Sequence, residues 1–320
     1  MALESYDIFS MENVIQSETE WLWYPYIPYG KVTIIQGDPG EGKTTLALNI
    51  AAALSKGGVP GSDETREPEV VLYQTAEDGL GDTIKPRLVA AGADCANIMF
   101  INENYEPLSF TDERLEEAIQ RLQPRLVILD PLQAYLGANV DMHRANEIRP
   151  VMSRLSQLAN MYRCAIVLIG HMNKNMGTKS AYRGLGSIDI TAAARSVLAV
   201  ARDKHDKQVR VVAQTKNSLA PEGDTVAFRL SENNGFTFIG KYNANIDDLL
   251  MGVSKSTLSG SASELITTML EDGERPAIEI YNAAAERNIS PATLRRAKQS
   301  LGVKDRKKGN CYVWFFPDKQ

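Results

Sequence analysis

The sequence predicts an α/β fold with a mostly parallel sheet, followed by a smaller domain with a different pattern. Apolar runs of strand length alternate with helical segments from Lys31 to about Gly240, and a glycine-rich loop follows the first run. A segment rich in Ser, Gly and Asn then separates this region from a shorter C-terminal part. Continuous Val/Ile/Leu runs separated by helices are typical of parallel strands that are covered on both faces.

Composition places the chain among globular proteins. Its 320 residues are enough for about two domains, and 43% of them are hydrophobic and 23% charged. No apolar run approaches the roughly 18 residues that span a bilayer, and the first residues lack a secretory signal pattern. The three cysteines are widely spaced, which argues against a zinc site or a disulfide framework. We therefore expect a cytoplasmic protein with no membrane partner.

The strands and helices of the first region follow one another regularly. The run "VTIIQ" precedes "KTTLALNIAAALS", "EVVLYQTAED" precedes "LGDTIKPRLVAAGAD", and "NIMFIN" precedes "TDERLEEAIQRLQ". The run "RLVILD" is followed by "RPVMSRLSQLANMYR" and then by "CAIVLIG". The later runs "SVLAVARD", "QVRVVAQTK" and "TVAFRLSE" lie closer together, so we expect them to add antiparallel strands at one edge of the sheet.

The octapeptide "GDPGEGKT" is the most specific motif in the chain. It matches the P-loop pattern G-x-x-x-x-G-K-[ST] and lies between a strand and a helix, as that pattern requires. Its backbone N–H groups and the start of the next helix predict a site for the phosphates of ATP. Lys43 is expected at the β- and γ-phosphates, and Thr44 is expected to bind Mg²⁺. The predicted nucleotide-binding residues are Gly37, Asp38, Pro39, Gly40, Glu41, Gly42, Lys43, Thr44 and Thr45.

Two further strand ends predict the rest of a hydrolytic site. The run "RLVILD" ends at Asp130, which places a carboxylate at the same edge of the sheet as Thr44 and makes it the second Mg²⁺ residue. Pro131 follows, so no catalytic acid stands directly after this strand. At the end of "YQTAED" we predict that Glu77 polarises the attacking water. The alternative is that Glu77 and Asp78 only cap the following helix.

Six segments resemble, in order and spacing, the RecA-like motor family, and specifically its RepA-type branch of plasmid and phage replicative helicases. They are "GDPGEGKTTLALNIAA", "AEDGLGDTIKPRL", "VILDPLQAYL", "GHMNK", "RGLGSIDITAAARSVL" and "QTKNSLAPEG". The resemblance covers about residues 21–239 and implies a RecA-like P-loop ATPase core. It also implies a homo-oligomer with ATP bound between subunits, for which a hexameric ring is favoured, and any primase on a separate polypeptide.

The resemblance implies roles for individual residues. His171, at the end of "AIVLIG", looks like the sensor of the γ-phosphate, and Lys216 resembles a lysine that enters a neighbouring subunit's ATP site. Related helicases have an arginine two positions after that lysine, where this chain has Ser218, so Arg195 or Arg202 is the candidate for that role. The alternatives are a polar strand end for His171 and a solvated turn residue for Lys216.

A polar stretch, "NKNMGTKSAYRGLGS", follows His171. In RecA-like rings the loop at this position faces the central channel, so the resemblance implies contact with single-stranded DNA. Lys174, Lys179 and Arg183 are the residues predicted to bind its phosphates. A second candidate channel loop is "GANVDMHRANEIR". The alternative is that the stretch is an ordinary solvated loop.

The C-terminal part is predicted to be a winged helix that binds duplex DNA. Three helical segments, the first with a capping box from Ser261 to Glu264, precede the hairpin "VKDRKKGNCYVWFFP". Residues 287–309 hold eight cations and one acid, a net +7 in a chain of net −5, which leaves −12 for the rest. The predicted DNA-binding residues here are Arg295, Arg296, Lys298, Lys307 and Lys308. A winged helix that docks on protein is the alternative.

Together these predictions divide the chain into four regions: an N-terminal arm (1–20), an ATPase domain (21–242), a linker (243–260) and a winged-helix domain (261–320). The leading function is an ATP-driven DNA motor, namely a RepA-like helicase or helicase-like replication ATPase of a plasmid, phage or integrated element. Two other functions stay open. One is a non-translocating regulatory ATPase that binds DNA, and the other is a recombination or repair ATPase that forms filaments on DNA.

Overall fold

In the described part of the chain, nine strands form one mostly parallel sheet at the centre of a first unit, residues 1–250. The second unit, residues 251–320, contains helices and a three-stranded sheet. The computed structural model describes residues 10–103, 105–137, 140–172, 188–231, 235–244, 249, 255–287, 289–309 and 311–317.

The first unit alternates strands and helices as predicted. Its strands are β1 (Trp21–Trp23), β2 (Ile27–Pro28), β3 (Val32–Gly37), β4 (Val71–Thr75), β5 (Ile98–Met99), β6 (Leu126–Asp130), β7 (Ala165–His171), β8 (Ser196–Arg202), β9 (Val209–Asn217), β10 (Val226–Ser231) and β11 (Gly235–Lys241). Its helices are α1 (Lys43–Ser55), α2 (Lys85–Ala90), α3 (Glu113–Leu122), α4 (Ala145–Tyr162) and α5 (Ile188–Ala193). A π-helical turn, Leu80–Ile84, precedes α2.

The strand order of the large sheet is β11-β10-β9-β8-β3-β7-β6-β4-β5. The strands from β8 to β5 pair in parallel, whereas β8, β9, β10 and β11 pair antiparallel as a meander at one edge. The prediction of a parallel sheet with an antiparallel edge is therefore confirmed. The sequence did not indicate β11, because its two glycines and its half-exposed residues weaken the pattern of a strand.

Apolar layers cover both faces of the sheet. α1 and α2 lie on one face, and α3, α4 and α5 lie on the other. The period of two along a strand sends Ile34 of β3 into the second layer and Ile35 into the first. In α4 the buried residues recur at the spacing of one helical face, from Ile148 to Val151, Met152 and Leu155.

The carboxyl ends of the central strands bring the P-loop, His171 and Asp130 to one edge. In the parallel register Gly37 of β3 lies opposite His171 of β7, and Thr75 of β4 lies opposite Asp130 of β6. In parallel sheets of this kind, ligands bind outside the carboxyl ends of the strands. The P-loop joins β3 to α1 at this same edge.

The described part of the second unit has the elements predicted for it, with an additional short strand. They are α6 (Lys255–Met269), β12 (Arg275–Pro276), α7 (Ala277–Glu286), α8 (Pro291–Ser300), β13 (Lys304–Lys308) and β14 (Cys311–Phe315). The strand order is β12-β14-β13, and both pairs are antiparallel. The start of α8 is confirmed, because the Ser290 hydroxyl accepts from the Thr293 N–H and Pro291 is the first helical residue.

The start of α6 differs from the prediction. The helix begins at Lys255, inside the segment predicted as a linker (243–260), so Ser261 lies within the helix and the predicted capping box is wrong. Four of the six added residues are Ser, Thr or Gly, which are weak helix formers, so propensity did not indicate these turns. Within the described residues, no helix has the length and apolar character that crossing a bilayer requires.

Candidate functional site

The glycines of the P-loop are required by its shape. A Cβ added at Gly37 would lie 2.3 Å from the carbonyl oxygen of Val200 on β8, which no side chain tolerates. Gly42, which precedes α1, has φ +88, a left-handed conformation that favours glycine. Asp38, Pro39 and Gly40 are exposed, so the loop between these glycines is open to a ligand.

Lys43 is buried beneath the P-loop. Its ammonium donates to the carbonyl oxygens of Gly37 at 3.0 Å and Asp38 at 2.9 Å, and lies 3.4 Å from His171 Nδ1. Burial lowers the pKa of Lys43, and the nearby charge of Asp130 opposes that change. The ammonium is thus held at the loop by weak acceptors that a phosphate oxygen can replace.

Thr44 and Asp130, the two residues predicted to bind Mg²⁺, are in contact. The Thr44 hydroxyl donates to Asp130 Oδ2 at 2.7 Å, across the gap between α1 and β6. Asp130 is 6% exposed, and burial raises its pKa while the bond from Thr44 lowers it. A hydroxyl and a carboxylate are hard oxygen ligands that suit Mg²⁺. These two residues would hold the ion, which would neutralise charge on the phosphates of a bound nucleotide.

Glu77 and Asp78 differ in their surroundings. Asp78 forms an ion pair with Arg87 at 3.1 Å, and its N–H donates to the Thr75 hydroxyl. Glu77 Oε1 instead lies 3.7 Å from Nε2 of His171, and its side chain is 62% exposed. Glu77 therefore faces the P-loop edge of the sheet, where a nucleotide and a water molecule can reach it.

Arg202 contacts the P-loop of its own chain. It ends β8 and donates to the carbonyl oxygen of Gly40 at 3.2 Å, and it lies 3.7 Å from Glu41. Arg210 lies opposite it on β9 and is 7% exposed, and burial and then the charge of Arg202 lower its pKa. The sequence analysis did not single out Arg210, although a cation inside the apolar run "QVRVVAQ" was the available signal.

Arg195 lies at the opposite edge of the sheet. Its N–H donates to the carbonyl of Val32, the first residue of β3, whereas the P-loop begins at Gly37 at the other end of that strand. Five steps of about 3.3 Å give a separation of about 17 Å along the strand. Arg195 therefore does not contact the P-loop of its own chain.

Lys216 lies at the same opposite edge and is engaged within its own chain. It pairs with Val197 near the start of β8. Its ammonium donates to the carbonyl oxygens of Thr191, Ala192 and Ala194 at 2.9, 2.8 and 2.7 Å. These carbonyls close the C-terminal end of α5, where a cation is favoured. Burial, and second the charge of Arg195, lower the pKa of Lys216.

The predicted single-strand contacts Lys174, Lys179 and Arg183 lie outside the described residues. The second candidate channel loop is largely described, and its arginines are paired with acids. Arg144 lies 3.4 Å from Asp141 and 3.2 Å from Glu147, and Arg149 lies 2.7 Å from Asp189. These ion pairs reduce the charge that this loop presents to a DNA backbone.

The cations of the second unit fall into two groups. Lys298 pairs with Asp305 and lies 4.7 Å above the ring centre of Trp314, and Lys308 pairs with Glu274. These predicted DNA-binding lysines therefore have partners inside their own unit. Three other predicted DNA-binding residues are exposed and form no ion pair with an acid among the described residues: Arg295, Arg296 and Lys307. Arg295 donates from Nε to the Tyr281 hydroxyl at 3.4 Å.

Comparison with known proteins agrees with this geometry. DNA repair protein RadA of Mycobacterium tuberculosis is 25% identical over 289 residues, which cover 86% of this chain and 55% of that protein. RadA of Bacillus subtilis is 27% identical over 268 residues, which cover 83% and 50%. The chain thus spans about half the length of the curated relatives it matches. The solved structure of the ATPase domain of G40P aligns with a TM-score of 0.51 at 17% identity, and covers 66% of this chain and 85% of that one.

A family model described as an AAA domain matches residues 5–177, more than half of the chain. The matched range contains the P-loop, Glu77, Asp130 and His171, the residues that the sheet brings together at one edge. At 17% identity, the likeness to the G40P domain is a likeness of fold alone. The chain therefore belongs to this AAA-domain family and has the fold of a RecA-like P-loop ATPase.

Proposed function

We propose that this chain is an ATP-hydrolysing DNA motor of the RepA type, a helicase or helicase-like replication ATPase. One observation carries the proposal, the meeting of a complete hydrolytic set at one edge of the sheet. Lys43 lies at the P-loop, the Thr44 hydroxyl bonds to Asp130, and Glu77 lies beside His171. ATP and Mg²⁺ are the ligands that this set suits.

His171 connects the phosphate-binding lysine to the proposed catalytic acid. Nδ1 of His171 lies 3.4 Å from the Lys43 ammonium, and Nε2 on the other side of the ring lies 3.7 Å from Glu77 Oε1. A γ-phosphate that draws Lys43 away removes the partner of Nδ1. The position of Glu77 then depends on whether a γ-phosphate is present, which is the behaviour of a sensor.

The active oligomer is proposed to be a homo-oligomer with shared ATP sites, with a hexameric ring favoured over a filament. Along the sheet, Arg195 lies about 17 Å and Lys216 about 10 Å from the start of the P-loop of their own chain. The Lys216 ammonium is also held by carbonyl oxygens at the end of its own α5. Residues at that edge can act on a nucleotide only in a neighbouring subunit. Arg202 does not share this role, because it contacts its own P-loop.

DNA is the proposed partner at two places. Lys174, Lys179 and Arg183 follow shortly after His171 in the chain. The stretch proposed to bind single-stranded DNA is therefore joined directly to the proposed γ-phosphate sensor. In the second unit, Arg295, Arg296 and Lys307 are proposed to bind the backbone of duplex DNA in the manner of a winged helix. A primase on a separate polypeptide is the further partner proposed for such a replicative motor.

A repair or recombination ATPase is the second candidate function. The similarity to the DNA repair protein RadA, at 25% and 27% identity, favours it. A regulatory ATPase that uses ATP as an assembly switch is a third candidate. Displacement of one strand from a forked duplex separates the motor from both of these.

The central experiment measures ATPase rates of the full chain without DNA, with single strands and with duplex, beside the oligomer mass in ATP. Glu77→Gln is expected to keep ATP binding and lower kcat about 100-fold or more, as for a group that orients the reacting water. Asp78→Asn is the matched control, because Asp78 already pairs with Arg87. Normal turnover in Glu77→Gln, or an equal loss in Asp78→Asn, contradicts the assignment.

The DNA arm of the experiment uses Lys174, Lys179 and Arg183, changed together to Gln. The basal ATPase rate is expected to persist while stimulation by single strands is lost. The control is a double variant in which Lys204 and Lys207, two exposed lysines of the β8–β9 turn, are both changed to Gln. Single-stranded DNA should still stimulate the ATPase rate of this variant. If single-stranded DNA still stimulates the ATPase rate of the triple variant to the full extent, this stretch is not the DNA contact of the motor.

A further inference from the structure

Tyr73 is a buried tyrosine whose hydroxyl reaches the proposed metal-binding carboxylate. It lies on β4 opposite Ile128 of β6, and Asp130 follows Ile128 on the same face of the sheet. The residue is 2% exposed and packs in the apolar layer that contains α1. Its hydroxyl donates to Asp130 Oδ2 at 3.4 Å, and the same oxygen accepts from Thr44 at 2.7 Å.

Packing alone does not explain this hydroxyl, because phenylalanine fills the same apolar space. A hydroxyl in such a place is unfavourable unless it is hydrogen bonded. A tyrosine hydroxyl keeps its proton at neutral pH and can therefore donate, and Asp130 Oδ2 is its partner here. Two donors from different elements, Thr44 of α1 and Tyr73 of β4, therefore act on one oxygen and restrict rotation of the carboxylate.

We infer that Tyr73 is a positioning residue that holds Asp130 in the orientation required for Mg²⁺. The inference rests on the proposed Mg²⁺-dependent ATPase and gives Tyr73 no contact with the nucleotide. Metal-binding side chains commonly depend on hydrogen-bond partners for their orientation. Because the bond is long, its loss weakens Mg²⁺ binding about three- to tenfold, the range of one net hydrogen bond. Nucleotide binding without metal stays unchanged.

Tyr73→Phe in the full chain tests the inference. Mg²⁺ is titrated calorimetrically into protein that holds a non-hydrolysable ATP analogue, and affinity for the analogue is measured separately in EDTA. Tyr135→Phe is the matched control, because Tyr135 is equally buried but its hydroxyl donates to Glu103 at 3.5 Å. Thermal unfolding shows that both variants are folded. The Mg²⁺ dissociation constant should rise in Tyr73→Phe and change less than about twofold in Tyr135→Phe.

A double-mutant cycle with Asp130→Asn isolates the pair. In the Asp130→Asn background, Tyr73→Phe is expected to change Mg²⁺ affinity less than about twofold, since the carboxylate it orients is gone. An unaltered affinity in Tyr73→Phe, or an equal loss in Tyr135→Phe, overturns the inference alone. If the unaltered chain binds no analogue with or without Mg²⁺, the proposed function fails and the role of Tyr73 fails with it.

Discussion

Replacing Lys216 with Met separates its role inside the chain from its proposed role in a neighbouring subunit. The ammonium donates to three carbonyl oxygens at the C-terminal end of α5, at 2.9, 2.8 and 2.7 Å. Methionine keeps most of the side-chain length but donates to none of them. The end of this short helix then depends on water for its last carbonyl groups.

The expected loss of stability follows from these bonds. A hydrogen bond from a charged donor contributes about 1.5–3 kcal/mol, but Lys216 is half-buried and water can replace part of that contribution. We expect a total of about 1–3 kcal/mol, which lowers Tm by roughly 2–10 °C for a unit of this size. The control is Lys241→Met, because Lys241 forms an exposed ion pair with Asp224, and such pairs contribute about 0–1 kcal/mol.

Two assays complete the test. Thermal unfolding of both variants gives the stability difference, and ATPase rates of Lys216→Met mixed with Lys43→Ala test action between subunits. A mixed interface can pair an intact P-loop with an intact Lys216, so partial activity is expected to return. A Tm loss no larger than that of Lys241→Met refutes the contribution to α5. No recovery in oligomers shown by mass to be mixed refutes the shared site.

Three further predictions follow from individual contacts. Arg202→Ala should raise the KM for ATP, because Arg202 contacts the P-loop of its own chain. For the same reason, mixing Arg202→Ala with Lys43→Ala should restore no activity. Recovery on mixing would instead assign Arg202 to the ATP site of a neighbouring subunit. Arg296→Gln should weaken duplex binding and lower the slope of log affinity against log salt concentration by about one unit. Lys298→Met should mainly lower the stability of the second unit, since Lys298 pairs with Asp305. Equal salt slopes for the two variants would contradict this difference. Alkylation at pH 8 should modify the exposed Cys95 and spare Cys164, whose pKa burial raises to about 12, and peptide mapping that finds Cys164 modified in the folded chain would contradict its burial.

Local patterns in the sequence were enough to predict the parallel sheet and the edge of it at which the proposed hydrolytic residues meet. The P-loop motif needs only a strand, a short loop and a helix, all contiguous in the chain. Asp130 and Glu77 follow buried runs, and parallel strands end at a common edge, so their meeting could be expected before any coordinate was known. The period of two in the strands and of about 3.6 in α4 likewise depends only on neighbouring residues.

The tertiary structure decided which cations belong to which edge and which are already paired. Arg195 and Arg202 both flank β8, yet the direction of that strand sends Arg195 away from the P-loop and Arg202 onto it. The antiparallel turn into β9 then returns Lys216 to the far edge. Strand direction and register arise from pairing between distant segments, so sequence spacing alone does not determine them. For the same reason, only the fold of the second unit shows that Lys298 forms an ion pair with Asp305.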